Sequence, residues 1–295
     1  MGDVKNTTKA EKLLAGAIDL HIHTNPDLFP RLISDIEMAR EAKSAGMAGI
    51  VIKNHFTTTA DRAVLASEIT GFPVFGGLVL NNPVGGLNPE AVRVSLKLGA
   101  KIVWMPTIYA EYQLKDPDIA KTLKMAVGPA KRGISLLDRN LGIKSEVKEI
   151  LELINEYQAI LATGHISKQE ANLLVEEASN VGVKRIILTH PLSSMFDYTT
   201  GEILELVEKG VTLVEFNAFD TTEVASKPIS AELVADTIKA IGVRNSVIAT
   251  DGGQTVNPNP VKMMLDYIDT LLGLGIHEED IKVMICDNPA QILGI

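Results

Sequence analysis

The chain has 295 residues, 46% of them hydrophobic, and a formal net charge of −9. This composition suits a globular protein with an ample core. The acidic balance argues against a nucleic-acid duplex or an anionic membrane surface as partner, because both demand clustered Lys and Arg. A lone cysteine, Cys286, excludes an intramolecular disulfide framework. No apolar run reaches membrane-spanning length, and the polar stretch from Met1 to Lys12 lacks a signal-peptide core, so a soluble cytoplasmic protein is expected.

Along the chain, short runs rich in Val and Ile alternate with longer amphipathic segments, the order of parallel strands joined by crossover helices. Strands are expected at 17–23, 49–54, 74–80, 101–106, 159–164, 185–190, 211–217 and 246–251. Between them lie helix starts at Ser34-Asp35, Asn88-Pro89-Glu90, Ser145-Glu146 and the capping box Ser167-Lys168-Gln169-Glu170. Stops follow at Gly46, Gly71, Gly99, Gly182, Gly210 and Gly242, and Asn288-Pro289-Ala290 reads as a cap opening a last helical turn. Eight strands close a TIM barrel, so a single α/β domain over residues 1–295, a complete or distorted (β/α)8 barrel, is expected.

Roughly forty residues separate the fourth strand from the helix at Ser145, more than an ordinary βα connection needs. The segment 108–142, with Tyr109, Tyr112, Lys115, Lys131, Arg132 and the apolar run 134–137, is therefore read as an insertion. A lid, an oligomer contact and a plain structural excursion all remain open for it.

Chemistry concentrates at the strand ends. His21 and His23 lie two apart, and residues at i and i+2 of a strand face the same way. Two neutral imidazoles on one side of a strand end form half of a tetrahedral metal site. His55, His165 and His190 also fall at or just beyond predicted strand ends, so five of six histidines do so. Asp251 adds a carboxylate after the eighth strand. In a parallel barrel these ends converge on one face, where active sites form. Each residue alone reads more simply as hydrogen-bonded packing, and Asp251 before two glycines as a turn. Together they would leave many buried nitrogens unsatisfied unless a cation joined them.

The set Asp19-Leu20-His21-Ile22-His23, Thr163-Gly164-His165, Leu188-Thr189-His190-Pro191, Ala249-Thr250-Asp251 and the closing Asp287-Asn288-Pro289-Ala290 resembles the amidohydrolase superfamily, with its phosphotriesterase-like and TatD-like enzymes. The resemblance spans nearly the whole chain. It implies that His21, His23 and Asp251 hold one divalent metal, and that His165 and His190 hold a second or orient water and substrate. Zinc is the expected ion, with manganese, iron or nickel as alternatives, and one or two ions are compatible. The fourth strand departs from the family pattern. It ends Val103-Trp104-Met105-Pro106-Thr107 and supplies no bridging carboxylated lysine or glutamate. That leaves one metal on His21, His23, His165 and Asp251, or a bridge from another strand.

Lys53 is the candidate bridge, because it ends the second strand two residues before His55. A lysine facing a cation cluster calls for carboxylation or a substrate anion, unless it merely snorkels at the rim. Arg31, in the first βα loop, is placed to grip a carboxylate or phosphate, or simply to pair with Asp27 on the surface. His55 is a further substrate contact, and Glu215 and Asn217 share an inward register, with Glu215 read as a support behind the ligands or as partnered packing. Gly76-Gly77, Asn81-Asn82-Pro83 and Gln254 shape the mouth. His277 reads as surface and Cys286 as packing.

The expectation is a metal-dependent hydrolase in which a lowered water pKa supplies hydroxide near neutrality, Asp251 takes the proton, and a C–N, C–O or ester-like bond of a small substrate breaks, with an anionic substrate left open. A phosphoesterase, a metal-assisted non-redox decarboxylase and a non-catalytic metal-binding barrel are the rivals, and a homo-oligomer stays open.

Overall fold

The computed structural model describes residues 7–128, 132–225 and 227–295. Lys131 of the insertion and most of the polar start lie outside them. Parallel strands and helices alternate: β1 (Ile18–His23), α2 (Asp35–Ser44), β2 (Gly49–Lys53), α3 (Ala60–Thr70), β3 (Val74–Phe75), β4 (Gly77–Val79), α4 (Pro89–Lys97), β5 (Ile102–Trp104), α5 (Pro117–Val127), α6 (Ser145–Glu156), β6 (Ile160–Ala162), α7 (Lys168–Val181), β7 (Ile186–Leu188), α8 (Thr200–Lys209), β8 (Leu213–Asn217), α9 (Ala231–Ile241), β9 (Ser246–Ala249) and α10 (Pro260–Gly273). Preceding β1 is α1 (Lys9–Leu14), and α11 (Glu278–Lys282) and α12 (Asn288–Leu293) close the described chain.

The predicted third strand is β3 and β4, broken at Gly76. A Cβ there would lie 2.3 Å from the Thr59 carbonyl oxygen, so only glycine lets the strand pass. β3 continues the sheet β1-β2-β3, and β4 begins β4-β5-β6-β7-β8-β9. The seam between β9 and β1 is joined by parallel bonds from Asp251 N to His21 O and from His23 N to Gly252 O, each 2.9 Å. Eight strand positions thus form the (β/α)8 barrel.

Alternation fills its interior. Ile18, Leu20, Val51, Val79, Ile102, Trp104, Ile160, Ala162, Ile187, Leu213 and Val247 cluster inside, while their strand neighbours pack outward on the helices. Ile292 and Leu293 of α12 plug the lower end. Asn288 is not the cap expected of it. It opens α12, and its amide donates to the Val243 and Ser246 carbonyls at 2.8 and 2.7 Å, fastening the plug to the barrel. Similarly, Ser145 is the first residue of α6 rather than its cap, whereas Ser34, Asn88 and Ser167 cap as read. The start of the chain holds an unforeseen helix, α1, capped by Thr8, whose Ala10, Leu13 and Leu14 are buried.

Strict alternation fails once, at β1. Ile18 pairs with Gly49 and Asp19 with Ile50, but Ile22 pairs with Ile52 and His23 with Lys53, so Leu20 and His21 together oppose Val51. This bulge lets Leu20 fill the barrel interior while His21 and His23 also turn inward and Ile22 faces the helices. Asp19 holds it: its carboxylate accepts from His21 N at 3.1 Å, from Thr250 N at 3.2 Å and from the Thr250 hydroxyl at 2.6 Å. Burial, the largest influence, raises the Asp19 pKa to about 6 against the pull of these donors.

Two changes test the seam. Thr250→Val leaves a buried carboxylate short of a donor and is expected to cost about 1–3 kcal/mol. At Gly253 an added Cβ would fall 1.8 Å from the His23 carbonyl oxygen, so Gly253→Ala is expected to cost about 3 kcal/mol or more. Shifts in the urea midpoint read both.

Candidate metal centre

The barrel mouth collects the predicted residues in one cavity of about 290 Å³, lined by His23, Arg31, Lys53, His55, His165, His190 and Asp251 among others. His21 lies just beneath, fully buried. The Nε2 atoms of His21 and His23 converge on Asp251 Oδ1 at 3.2 and 3.1 Å. These three residues offer ligand atoms within 4.8 Å of one another.

Neighbours fix the rings. Glu215 Oε1 accepts from His21 Nδ1 at 2.9 Å and from the Asn217 amide at 3.0 Å. With its proton held on Nδ1, His21 presents the Nε2 lone pair, the arrangement that carboxylate partners impose on metal-binding histidines. Of the two readings open for Glu215, the support behind the ligands is the one its bond to His21 fits. His55 Nδ1 meets Thr107 Oγ1 at 2.8 Å, and Asn81 braces Thr107 through an amide bond of 2.7 Å.

His165 and His190 form a second pair across the cavity, their ring centroids 5.0 Å apart. Both Nδ1 atoms are buried without a hydrogen-bond partner among the described residues. His165 falls outside the tight triad of His21, His23 and Asp251, so the four-ligand set expected for a single metal divides into the triad and His165, which stands beside His190 instead. His190 and Asp251 adopt left-handed φ of 27° and 48° where their strands end. Such backbone costs on the order of 1 kcal/mol or more each and persists where the surroundings enforce it.

Charge is equally organised. Burial, the largest influence, lowers His190 to about 4 and holds His23, His55 and His165 well below the usual imidazole range, so these four stay neutral, as coordination requires. Burial pushes Asp251 up, yet His21, His23 and Lys53 outweigh it and hold its carboxyl well below the usual range. Lys53 is buried rather than snorkelling. Its Nζ sits 3.0 Å from His21 Nε2 and over the Trp104 ring, and burial lowers it to about 8. Its ammonium thus already answers the lone pair that a metal would use, and the donor set of neutral imidazoles plus one carboxylate fits a divalent cation.

Arg31 is no surface pair with Asp27. It is buried, bonded through Nε to Asp27 Oδ2 at 2.7 Å, and reaches within 3.3 Å of His23 Nδ1. Its backbone is bridged to Gln254, which also lines the mouth. The insertion reaches the opening at one residue. Ile119 of α5 lines the cavity, and the Tyr112 hydroxyl donates to the carbonyl of Met195 on the opposite rim at 2.9 Å. Ser193, Phe219 and Asp220, which sequence reasoning passed over, line it too; they follow strands β7 and β8, and that position was the available signal. His277 is exposed and Cys286 half-buried, both away from this cavity.

Fold and site together define a barrel with a strand-end cation cage, and solved structures share the architecture. An amidohydrolase from Pseudomonas aeruginosa is similar at 13% identity and TM-score 0.57, covering 96% of this chain and 98% of that one. The organophosphorus hydrolase of Deinococcus radiodurans is similar at 16% and 0.61, covering 97% and 94%. The probable dipeptidase PvdM from Pseudomonas aeruginosa is similar at 12% and 0.62, covering 97% and 96%. What these structures share with the chain is the barrel fold. By sequence the chain belongs to a family of unknown function, DUF6282, whose model matches residues 16–214. No curated protein matches it.

His21→Ala and His23→Ala are each expected to reduce bound zinc sharply by elemental analysis. Glu215→Gln is expected to weaken zinc affinity about 10–100-fold in chelator competition while leaving the fold intact.

Proposed function

We propose that this chain is a metal-dependent hydrolase of small anionic substrates. The convergence of His21 and His23 on one oxygen of Asp251, in a cavity that also holds two buried cationic side chains, is the observation that carries this reading. His21, His23 and Asp251 would hold a divalent ion, with zinc favoured by the nitrogen-rich donor set and manganese, iron or nickel compatible with it. His165 and His190 would hold a second ion or direct the substrate. When bound, the ion supplies Lewis acidity and a lowered water pKa.

The chain's own groups do the rest. Asp251, ionised and facing the cavity, accepts a proton from the attacking water and later returns it towards the leaving group. Arg31, pinned by Asp27, presents donors suited to a carboxylate or phosphate. Lys53 either adds a second cationic contact or, once its amine is carboxylated, becomes an anionic bridge between ions. Its depressed pKa leaves more of the neutral amine that carboxylation needs. Ile119, Phe29 and Phe219 add apolar lining that limits water in the cavity. A C–N, C–O or ester-like bond is the favoured target. Phosphoester cleavage is a second reading, supported by the placement of Arg31 and Lys53 on one cavity.

In a screen of carboxylate-bearing amides, lactones and esters beside phosphoesters, the zinc-loaded chain is expected to turn over at least one class. Chelation is expected to abolish turnover and zinc to restore it. Asp251→Asn is expected to lower kcat by about 10²-fold or more with near-normal thermal stability, and equal rates for mutant and wild type would remove its role. Arg31→Gln is expected to raise KM for anionic substrates about 10-fold or more. Two zinc ions per chain together with a carboxylated Lys53 by intact-mass measurement would favour the bridge. One ion and an unmodified lysine would favour the substrate contact.

A further inference from the structure

The partner behind an imidazole decides which of its nitrogens carries the proton. His55 follows β2, is buried, and lines the cavity with its ring stacked on His23, the centroids 4.8 Å apart. Its Nδ1 meets Thr107 Oγ1 at 2.8 Å, and the direction of that bond follows from groups that have no choice. Asn81 Oδ1 accepts from the backbone N–H of Thr107 at 2.9 Å and of Tyr109 at 3.4 Å, which identifies the oxygen of that amide. The amide nitrogen therefore donates to the His55 carbonyl at 3.0 Å and to Thr107 Oγ1 at 2.7 Å.

Thr107 is fully buried, and its hydroxyl finds no acceptor among the described residues except His55 Nδ1. With Asn81 donating to Oγ1, the hydroxyl proton goes to Nδ1, and the single hydrogen of the neutral ring stands on Nε2. Placing that hydrogen on Nδ1 instead would give Oγ1 two donors and strand the hydroxyl proton in the interior. A doubly protonated ring carries hydrogen on Nε2 as well, so this atom is a donor in either charge state. His21 is set the opposite way, because a carboxylate that only accepts holds its Nδ1 and frees the Nε2 lone pair.

We propose that His55, held by Thr107 and Asn81, is withheld from the metal and offers an Nε2–H donor to an oxygen of the substrate. The proposal rests on the hydrolytic reading above and names a contact within it. A donor fixed beforehand in a buried site favours an acceptor oxygen whose charge grows as water adds. No proton changes hands at His55, so the route from water through Asp251 to the leaving group is unaltered.

The test uses the full chain with isotope-labelled histidine nitrogens, and inorganic phosphate as the probe anion. Long-range proton–nitrogen correlation spectra, with the His55 signals assigned by their loss in His55→Gln, are expected to show hydrogen on Nε2 and a bare Nδ1 before and after zinc loading. Thr107→Val is expected to let both tautomers appear. In chelator competition, zinc affinity is expected to be unchanged in His55→Gln and Thr107→Val. His55→Phe is expected to weaken phosphate binding to the zinc-loaded chain about 10–100-fold, and His55→Gln, which restores an N–H, to recover part of the loss. Thr107→Val, nearly the same size as the residue it replaces, is expected to weaken phosphate in the same direction and serves as the reading should His55→Phe fail to fold. Hydrogen on Nδ1, zinc affinity lost in His55→Gln, or phosphate affinity equal in wild type and these variants overturns the proposal and leaves the hydrolase reading standing. Zinc-loaded wild type inert towards every class in the screen above overturns the hydrolytic reading and the proposal with it.

Discussion

The bulge in β1 is the constraint on which the site depends. A regular strand that buries Ile18 and Leu20 inside the barrel would send His21 outward between the helices, where an imidazole meets only apolar neighbours. Setting Leu20 and His21 together against Val51 shifts the phase of the strand, so one element fills the barrel core below and supplies two ligands above. The irregularity persists because Asp19 gathers the freed amide of His21 and ties it to Thr250 on β9. The same seam carries Asp251. Barrel closure and assembly of the ligand triad are therefore one event.

Around that seam the charges are arranged for a cation to join. Burial keeps His55, His165 and His190 neutral, the Asp251 carboxyl is held well below its usual range against burial by His21, His23 and Lys53, and Lys53 occupies the lone pair of His21. In a site of low dielectric such groups interact far more strongly than in water, so each added charge shifts the others. Glu215 and Asn217 lie behind the first ligand and Thr107 and Asn81 behind His55, which makes the outer layer of polar partners as specific as the inner one.

The cavity mixes charge and apolar surface. Arg31 and Lys53 line it beside the histidines, Phe29 packs under the Arg31 guanidinium 5.7 Å away, and Ile119 and Phe219 add apolar lining. The insertion after β5 contributes Ile119 to that lining, and its Tyr112 is tied to the Met195 carbonyl. Backbone strain at His190 and Asp251 sits where strands give way to this mouth.

Much of this was legible in the sequence, and the physical reasons are particular. Barrel class, strand count and the histidines at strand ends follow from hydrophobic period and capping chemistry, which are local. Gly76 was visible as a mouth residue, but its break in the third strand depends on the approach of Thr59, which no local pattern encodes. The i, i+2 spacing of His21 and His23 was enough to put them on one side, yet only the register against β2 determined which side. For Arg31 an anion grip and a surface pair stayed open because burial belongs to the folded loop, and for Glu215 a support role and plain packing stayed open because its partner is 194 positions away. Asp220 and Ser193 carried no motif at all. Sequence by itself determined the barrel and the kinds of ligand it would offer, since both are written in residue type and period. Tertiary structure alone decided which ligands meet, which charges face each other and what covers them, because those depend on distances between strands that closure brings together.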